Sequence, residues 1–309
     1  MRLAHDRVRV RVPASSANLG PGYDSFGLAL ALYDEVEVAA TADPDVRVEV
    51  VGEGAGQLSV GADHLVAATV LETLDEVGAS RTGLRLVCRN AIPHGRGLGS
   101  SAAAVVCGVL AVRGLLADPQ VLDDATVLAM ATRREGHPDN VAPTLLGGLT
   151  LAWRPASDAA HPHAVRLTLH PDVVPVVAVP PTRLTTTTAR RVLPDQVPHA
   201  DAAFQAARAG LLVEALGRRP DLLFEATCDR LHQEQRRSVM PDTLALVDAL
   251  RRRGVPAVVS GAGPTVLAFS VRGGVDALAQ MHEVFGGVLG GWRITELAVD
   301  TAGGTVVRV

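Results

Sequence analysis

The sequence contains no lysine, so every strongly basic side chain is an arginine. A phosphate loop of the Walker A type requires Gly-Lys-Ser/Thr, and the missing lysine excludes that class of site. Aromatic residues make up only 3% of the chain, which provides neither a stacking platform for nucleic-acid bases nor an aromatic belt at a membrane interface. The net charge of −4 provides no basic footprint for nucleic acid either. We therefore expect no nucleic-acid partner and no membrane partner.

Long apolar runs are also missing, because no uninterrupted run approaches the roughly 18 residues of a membrane span. The first residues, MRLAHDRVRVRV, alternate as a strand does and show no apolar stretch typical of a signal peptide. The cysteines Cys88, Cys107 and Cys228 are odd in number and widely spaced, which predicts buried free thiols. These features predict a cytoplasmic protein.

A glycine-rich segment, PHGRGLGSSAAA at residues 93–104, is the most informative part of the chain. Its glycines can take positive φ angles and allow the backbone to approach a ligand closely. The apolar sequence that follows predicts a helix, with Ser100 or Ser101 as its N-cap. A helix N-terminus presents unpaired N–H groups and a partial positive charge. This segment therefore predicts a polyphosphate site, the alternative being a capped turn before a buried helix.

The dinucleotide-binding fingerprint does not fit this segment. That fingerprint requires GxGxxG after the first strand and an acidic residue about 20 positions later. The segment here has the pattern GxGxGSS and lies in mid-chain.

The length of 309 residues suits two domains, each large enough to bury a core. Along the first half, strands are followed by a helix, a strand, the glycine loop and a further helix, an order that favours an α+β fold. The polar loop 156–163 is a plausible boundary. We therefore predict domains at residues 1–158 and 159–309.

Further polar segments could carry a ligand, although each also has a plain structural explanation. Asn18 and Asp24 lie in a Gly- and Pro-rich loop, where both residue types commonly bond their own backbone. The charges in EGHPDN at 135–140 could belong to a solvated helix end, and SGAGPT at 260–265 could be a tight hairpin. The threonines and arginines of LTTTTARR at 184–191 offer hydroxyl and guanidinium donors suited to a carboxylate or phosphate.

Three segments together, PASSANLGPGYDSFG, PHGRGLGSSAAA and SGAGPTVLAF, closely resemble the GHMP kinases, the superfamily of galactokinase, homoserine kinase, mevalonate kinase and phosphomevalonate kinase. EGHPDNVAP, LTTTTAR and DRLHQEQR are most similar to the bacterial homoserine kinase branch. The resemblance implies an N-terminal ATP-binding domain like domain 2 of ribosomal protein S5 and a ferredoxin-like C-terminal domain. It also implies transfer of the ATP γ-phosphate to the hydroxyl of L-homoserine in threonine biosynthesis, and a homodimer.

The resemblance further implies the members of the site. ATP and Mg²⁺ would be the cofactors, with Ser100 or Ser101 and Glu135 as metal ligands. The segment that would bind ATP comprises Pro93, His94, Gly95, Arg96, Gly97, Leu98, Gly99, Ser100, Ser101, Ala102 and Ala103. The substrate would contact Asn18, Asp24, His137, Asp139, Arg190, Arg236, Gly261 and Gly263. The catalytic residues would be Asn18, Asp24, Asn140, Thr186 and Arg190.

Some positions depart from the family pattern and leave alternatives open. Asn140 stands where mevalonate-type relatives have an Asp, so we expect catalysis by positioning, with Asp24 or a water as the alternative base. His64 replaces a common Asn near the adenine. Thr185 or Thr187 could replace Thr186, and Arg237 could replace Arg236. A GHMP kinase for another small alcohol, or a non-catalytic metabolite-binding relative, is the alternative function.

Overall fold

The computed structural model describes residues 2–80, 82–285 and 290–309. The strands are β1 Arg7–Ala17, β2 Phe26–Thr41, β3 Val46–Gly52, β4 Gly83–Asn90, β5 Leu149–Trp153, β6 His163–Leu167, β7 Val173–Val179, β8 Ala257–Val259, β9 Val266–Val271, β10 Arg293–Glu296 and β11 Thr305–Arg308. The α-helices are α1 Leu65–Glu76, α2 Ser100–Leu115, α3 Asp124–Glu135, α4 Val141–Leu146, α5 Thr186–Arg191, α6 His199–Gly217, α7 Leu223–Ala226, α8 Pro241–Arg252 and α9 Ala277–Phe285. Short 3₁₀ turns occupy Pro119–Leu122, Pro220–Leu222 and Glu234–Arg236.

The first sheet has seven strands, with the order β11-β1-β2-β4-β3 and with β5 and β6 added at the other end of β2. Alternation along β1 explains its place, since Val8, Val10 and Val12 are fully buried while the arginines between them face solvent. The β3–β4 pair is parallel and the other pairs are antiparallel. β6 and β11 both lie beyond residue 158, so this sheet extends past the predicted first domain.

Helix α2 lies at the centre of the main core and packs against β1, α1 and α3. Its sequence, SSAAAVVCGVLAVRGL, is apolar on almost every side because the helix is enclosed by these neighbours. Gly108 lets α1 approach closely, since a Cβ there would lie 2.6 Å from the Thr69 Cβ atom. This packing holds the N-terminus of α2 firmly beneath the glycine loop.

The second sheet has four antiparallel strands in the order β10-β7-β9-β8, with α8 and α9 packed against it. Val176, Val259 and Ala268 of this sheet share a second core with Leu250 of α8. Apolar residues on its other face, including Val177 and Leu267, join the main core. The predicted α+β class is confirmed.

One predicted helix is wrong. The sequence predicts a helix over 221–235, but the chain forms α7 and then leaves helical geometry after Ala226. The buried Asp229 carboxylate accepts hydrogen bonds from the backbone N–H groups of Leu231, His232 and Gln233, which would otherwise bond helically. Of the cysteines, Cys88 and Cys107 are buried as predicted, while Cys228 is half-buried. Among the described residues, no helix is long and apolar enough to cross a membrane.

Candidate active site

The glycine loop lies between strand β1 and the turn at residues 260–265. Gly95, Gly97 and Gly99 have φ angles of +64°, +77° and +69°. A Cβ at Gly97 would lie 2.4 Å from the Ser260 carbonyl oxygen, and one at Gly99 would lie 2.1 Å from Ser15 Oγ. The Ser260 hydroxyl donates to the Gly97 carbonyl at 2.6 Å. These positions require glycine because both the φ angle and the space exclude a side chain.

Helix α2 begins at Ser100 with Gly99 in the N-cap position, and no side chain caps it. The prediction that Ser100 or Ser101 is the N-cap is therefore wrong, because the left-handed conformation of Gly99 already starts the helix. The first intrahelical bond of this turn runs from the Ala103 N–H to the Gly99 carbonyl. The N–H groups of Ser100, Ser101 and Ala102 precede it and have no helical acceptor, as at any helix start.

Ser101 and Glu135 bring two oxygens together at this helix start. Ser101 Oγ donates to Glu135 Oε1 at 2.6 Å. Glu135 is the last residue of α3, which packs against α2. Burial raises the pKa of Glu135, and the hydrogen bond from Ser101 partly opposes that rise. Two adjacent oxygen donors suit a hard cation such as Mg²⁺, which commonly takes few protein ligands.

Asn140 precedes α4 and is held against the glycine loop. Its Oδ1 accepts a hydrogen bond from Ser15 Oγ at 2.9 Å. Its Nδ2 donates to none of the described residues, and Asn140 lines the central pocket. The amide therefore offers a donor to whatever occupies that pocket.

Asn18 and Asp24 lie in the loop between β1 and β2, where both have positive φ angles of +70° and +55°. Asn18 Nδ2 donates to the Gly261 carbonyl at 2.9 Å, and its Oδ1 accepts from the Asp24 N–H at 3.0 Å. Asn18 thus ties the loop to the second glycine turn. This is the turn-forming role that the sequence left open, although Asn18 also lines the pocket.

Asp24 and Arg190, 166 residues apart in sequence, form a two-pronged ion pair, in which Arg190 lines the pocket and Asp24 does not. The Arg190 guanidinium donates to Asp24 Oδ1 at 2.5 Å and to Asp24 Oδ2 at 3.1 Å. It also donates to the Tyr23 hydroxyl at 2.8 Å. Arg190 belongs to α5, so this pair joins the second half of the chain to the strained first loop.

His137 and Asp139 stand beside this ion pair. His137 Nδ1 is hydrogen-bonded to Asp139 Oδ1, and ligand atoms of Asp24, His137 and Asp139 lie within 4.8 Å of one another. Burial opposes charge on His137, but its hydrogen bond to Asp139 and the negative charge of Asp139 together raise the pKa of His137. The pocket therefore places carboxylates and cationic groups side by side.

Arg236 is the largest fully buried side chain, with 1% of its surface exposed. Its guanidinium donates to the carbonyls of Ala189 and Gly261 at 3.2 Å each, and to His232 Nδ1 at 3.0 Å. Since Arg236 can only donate, His232 carries its proton on Nε2, which bonds the Gly20 carbonyl at 2.8 Å. No carboxylate of the described residues lies within 4.0 Å of Arg236. A buried cation without an ionic partner is costly, and an anionic ligand in this pocket would relieve that cost.

The sequence did not single out the residues that hold Arg236 in place. Asp229 accepts from Gln205 Nε2 at 2.7 Å, and that amide also donates to the Pro21 carbonyl at 3.0 Å. His232 and Gln205 together therefore fasten the loop that carries Asp24. The motif DRLHQEQR places Asp229, His232 and Gln233 close together, and the sequence does not show that His232 and Gln233 are buried, where polar side chains are normally hydrogen-bonded.

The threonines at 185–188 have different positions relative to the pocket. Thr185 is the N-cap of α5, and its Oγ1 accepts from the Thr188 N–H at 3.1 Å. Thr185 and Thr186 line the pocket, and Thr187 does not. Arg237 lies at the surface, paired with Glu234 and Asp248, so Arg236 is the arginine that faces the site.

A pocket of about 130 Å³ joins these groups. It is lined by Asn18, Gly95, Gly97, Gly99, Ser100, Ser101, Ala102, Glu135, His137, Asp139, Asn140, Leu184, Thr185, Thr186, Arg190, Arg236, Gly261, Ala262 and Gly263. Four members of the predicted ATP segment, Pro93, His94, Arg96 and Leu98, and its last residue Ala103 do not line it. Arg96 instead donates to the carbonyls of Pro180 and Pro181 at 2.9 and 2.8 Å, which ties the loop to the second sheet.

Comparison with known proteins accords with this geometry. Residues 64–148 match the family model "GHMP kinases N terminal domain" and residues 203–282 match "GHMP kinases C terminal". The homoserine kinase of Streptomyces avermitilis is 49% identical over 301 residues, which cover 97% of this chain and 95% of that protein. The chain belongs to the GHMP kinases.

Solved structures of GHMP kinases show the same architecture. The crystal structure of homoserine kinase from Cytophaga hutchinsonii has a TM-score of 0.84, with 28% identity and coverage of 98% of both chains. The homoserine kinase of Streptomyces coelicolor, a second close relative, is 49% identical over 97% of this chain and 94% of its own. The predicted two-domain GHMP kinase fold is confirmed.

A second cavity, of about 310 Å³, adjoins this pocket at the glycine loop. The two cavities share Gly95, Ser100 and Ser101. The exposed lining of the second is mostly apolar, although Asp34, Asp63, His64, Asn90 and His94 also line it. His64 is 5% exposed, and its Nδ1 has no hydrogen-bond partner among the described residues.

Proposed function

We propose that the protein is a homoserine kinase, which transfers the γ-phosphate of ATP to the side-chain hydroxyl of L-homoserine and yields O-phospho-L-homoserine and ADP. One observation carries the proposal. A single pocket joins the open N-terminus of α2, the Ser101–Glu135 oxygen pair and a set of side chains with both charges. Relatives that are named homoserine kinase and are about half identical over nearly the whole chain support it.

The phosphates of ATP are proposed to lie at the glycine loop. The N–H groups of Ser100, Ser101 and Ala102 point from the start of α2, where the helix dipole favours an anion. The three glycines let the backbone contact the phosphates without side chains between. The adjoining apolar cavity is proposed to hold the nucleoside, since it opens on the same loop.

Mg²⁺ is proposed to be held by Glu135 and the Ser101 hydroxyl, with Ser100 beside them. Both oxygens are hard donors in the pocket, and they already lie 2.6 Å apart. When bound, the ion would neutralise charge on the phosphates.

L-Homoserine is a zwitterion, and its two charges match the groups in this pocket. Arg236 and Arg190 are proposed to bind its carboxylate, because guanidinium groups bind carboxylates through paired hydrogen bonds. Asp24 and Asp139 are proposed to bind its ammonium group, with His137 orienting Asp139. Thr186 lines the pocket and is proposed to lie beside the transferred phosphoryl group, while Gly261 and Gly263, which also line it, are proposed to close the site from the second half of the chain.

The transfer forms a bond between the substrate oxygen and the γ-phosphorus and breaks the bond from that phosphorus to the bridging oxygen of ADP. The proton of the hydroxyl passes to a phosphate oxygen or to water. Asn140 cannot take a proton, and both Asp24 oxygens are engaged by Arg190. Catalysis is therefore proposed to rest on positioning and on stabilisation of charge, which a loose phosphoryl-transfer transition state mainly requires.

The proposal is tested by measuring ADP release from Mg-ATP with L-homoserine, L-serine, L-threonine, mevalonate and galactose. Turnover selective for L-homoserine, with O-phosphohomoserine identified as the product, is expected. Selective turnover of another alcohol would replace the substrate and keep the GHMP kinase class. ATP binding without turnover of any alcohol would contradict the proposed enzyme and favour a metabolite-binding role.

Family membership also supports three more specific proposals about the protein in the cell. We propose that it acts in the cytoplasm, in threonine biosynthesis, and as a homodimer. Light scattering on the purified protein would measure the last of these directly.

A further inference from the structure

The second cavity contains a buried carboxylate, Asp34, that has no role in the proposed function so far. Asp34 is 5% exposed and lies on the inner face of β2, opposite Val12 of β1. Its Oδ1 accepts hydrogen bonds from the backbone N–H groups of Ala91 and Ile92, at 2.8 and 2.9 Å. These two residues immediately precede the glycine loop, so Asp34 also fixes where that loop begins.

The other oxygen of Asp34 is free of the protein. Oδ2 accepts no hydrogen bond from the described residues, and Asp34 lines the cavity. Burial raises the pKa of Asp34 to about 6, the two backbone N–H groups opposing that rise. Because Asp34 lines the cavity and its Oδ2 has no partner among the described residues, a ligand that donates a hydrogen bond would find a free acceptor there.

The position of Asp34 within the cavity indicates which part of a nucleotide reaches it. The phosphate end is marked by Gly95, Ser100 and Ser101, which both cavities share. Asp34 instead lies near Cys107, a lining residue about two turns of α2 beyond Ser100, since burial, Cys88 and the charge of Asp34 together raise the pKa of the Cys107 thiol. The part of a bound nucleotide farthest from its phosphates is the base edge.

We infer that Asp34 Oδ2 accepts a hydrogen bond from the exocyclic amino group of the nucleotide base and thereby selects adenine over bases with a carbonyl at that position. The inference rests on the proposed use of ATP. A carboxylate attracts the 6-amino group of adenine, while it repels the 6-carbonyl of hypoxanthine or guanine. A site built to bond a donor rejects an analogue that lacks the donor, because the buried group is then left unpaired.

Three nucleotides test this on the unaltered protein. ATP carries an amino group at position 6, purine riboside triphosphate carries hydrogen there, and ITP carries a carbonyl. We expect the dissociation constant to rise in that order, with ITP weaker than ATP by roughly 10- to 100-fold, the range of a lost hydrogen bond to a charged group. Equal affinities for all three would overturn the inference.

Asp34→Asn tests the residue itself. The amide keeps the shape of the side chain and can still accept from Ala91 and Ile92, while presenting an NH₂ group to the cavity in place of Oδ2. Its preference for ATP over ITP should fall at least tenfold, or reverse. A preference unchanged in a folded Asp34→Asn protein would exclude contact with the amino group.

Asp63→Asn is the matched control, because Asp63 lines the same cavity at its exposed mouth and bonds Ser59. It removes the same charge and should alter the affinities for ATP and ITP by the same factor. A loss of preference as large as that of Asp34→Asn would assign the effect to the general charge of the cavity and contradict the inference.

The binding measurements need no acceptor, so they separate this inference from the proposed function. A protein that binds ATP more tightly than ITP but phosphorylates no homoserine would refute the function and support the role of Asp34. A protein that phosphorylates homoserine equally well with ATP and ITP would support the proposed function and refute the role of Asp34. If Asp34→Asn does not fold, the nucleotide series on the unaltered protein decides the question.

Discussion

At the scale of single residues, Arg236 and Arg237 are neighbours in sequence with opposite environments. Arg236 is buried at the pocket, whereas Arg237 is a surface cation paired with Glu234 and Asp248. Arg236→Ala should raise the KM for homoserine by roughly 10- to 100-fold, the range of a lost charged hydrogen bond. It should also lower stability, because the Ala189 carbonyl and His232 Nδ1 lose the donor that Arg236 provides and the Gly261 carbonyl keeps only Asn18.

Arg237→Ala is the control for this prediction. It removes a surface ion-pair network only, so we expect both KM values to stay near normal and stability to change by less than about 1 kcal/mol. Steady-state kinetics with homoserine and ATP varied separately measures both variants. An Arg236→Ala effect confined to the KM for ATP would contradict the assignment of Arg236 to the substrate carboxylate.

Glu135→Gln keeps the volume of the side chain and removes its charge. It should lower kcat roughly 100-fold or more through weaker placement of Mg²⁺, with an unchanged melting temperature.

Because burial raises the pKa of Glu135, the unaltered enzyme should need more Mg²⁺ as the pH falls toward that raised pKa and the carboxylate takes up a proton. The variant should lack this dependence. Near-normal turnover of the variant at limiting Mg²⁺ would show that Glu135 is not a metal ligand.

At the scale of elements, the glycine loop and the turn at 260–265 act as one unit. Gly97→Ala places a Cβ 2.4 Å from the Ser260 carbonyl, so the turn must move away from the loop. We expect this variant to lose most of its affinity for ATP, measured by calorimetry, and to be less stable. The added Cβ meets backbone atoms of Ser260 and Gly263, so no change of side-chain rotamer relieves the contact.

Gly254→Ala provides a matched comparison for Gly97. Both glycines have a φ of +77°, but a Cβ at Gly254 would meet nothing within 4 Å. Gly254→Ala should therefore show only the strain of the left-handed conformation, about 1 kcal/mol, and normal ATP affinity. Equal losses in the two variants would mean that backbone strain, and not the contact with Ser260, explains the Gly97 requirement.

The regular elements around the loop were predictable from sequence where the pattern is local. The alternation of β1 and the apolar run of α2 predict their own structure, since both depend on burial with a fixed period. The end of helical structure after Ala226 was not predictable, because the Asp229 carboxylate accepts hydrogen bonds from backbone N–H groups that a longer helix would use. The same limit applies at Ser100, where the conformation of Gly99 replaced the expected side-chain cap.

At the scale of the whole molecule, both sheets contribute residues to the main core. Val10 and Leu28 of the first sheet belong to the same apolar cluster as Val177 and Leu267 of the second. The C-terminal strand β11 also pairs with β1. We therefore expect a single cooperative peak in scanning calorimetry, shifted as a whole to higher temperature by Mg-ATP. Two separate peaks, with only one moved by the nucleotide, would show that the halves unfold independently.

The sequence by itself determined the chemistry of the site: three clustered glycines, a helix start, the acid at Glu135 and arginines without any lysine. These are local patterns, and they persist whatever the rest of the chain does. Only the tertiary structure decided which groups meet, such as Asp24 with Arg190 across 166 residues or Asn18 with Gly261 across 243. It also decided which of two adjacent arginines is buried and that Asp34 lines a cavity. Such pairings depend on how the sheets pack, and no local pattern of residues encodes that packing.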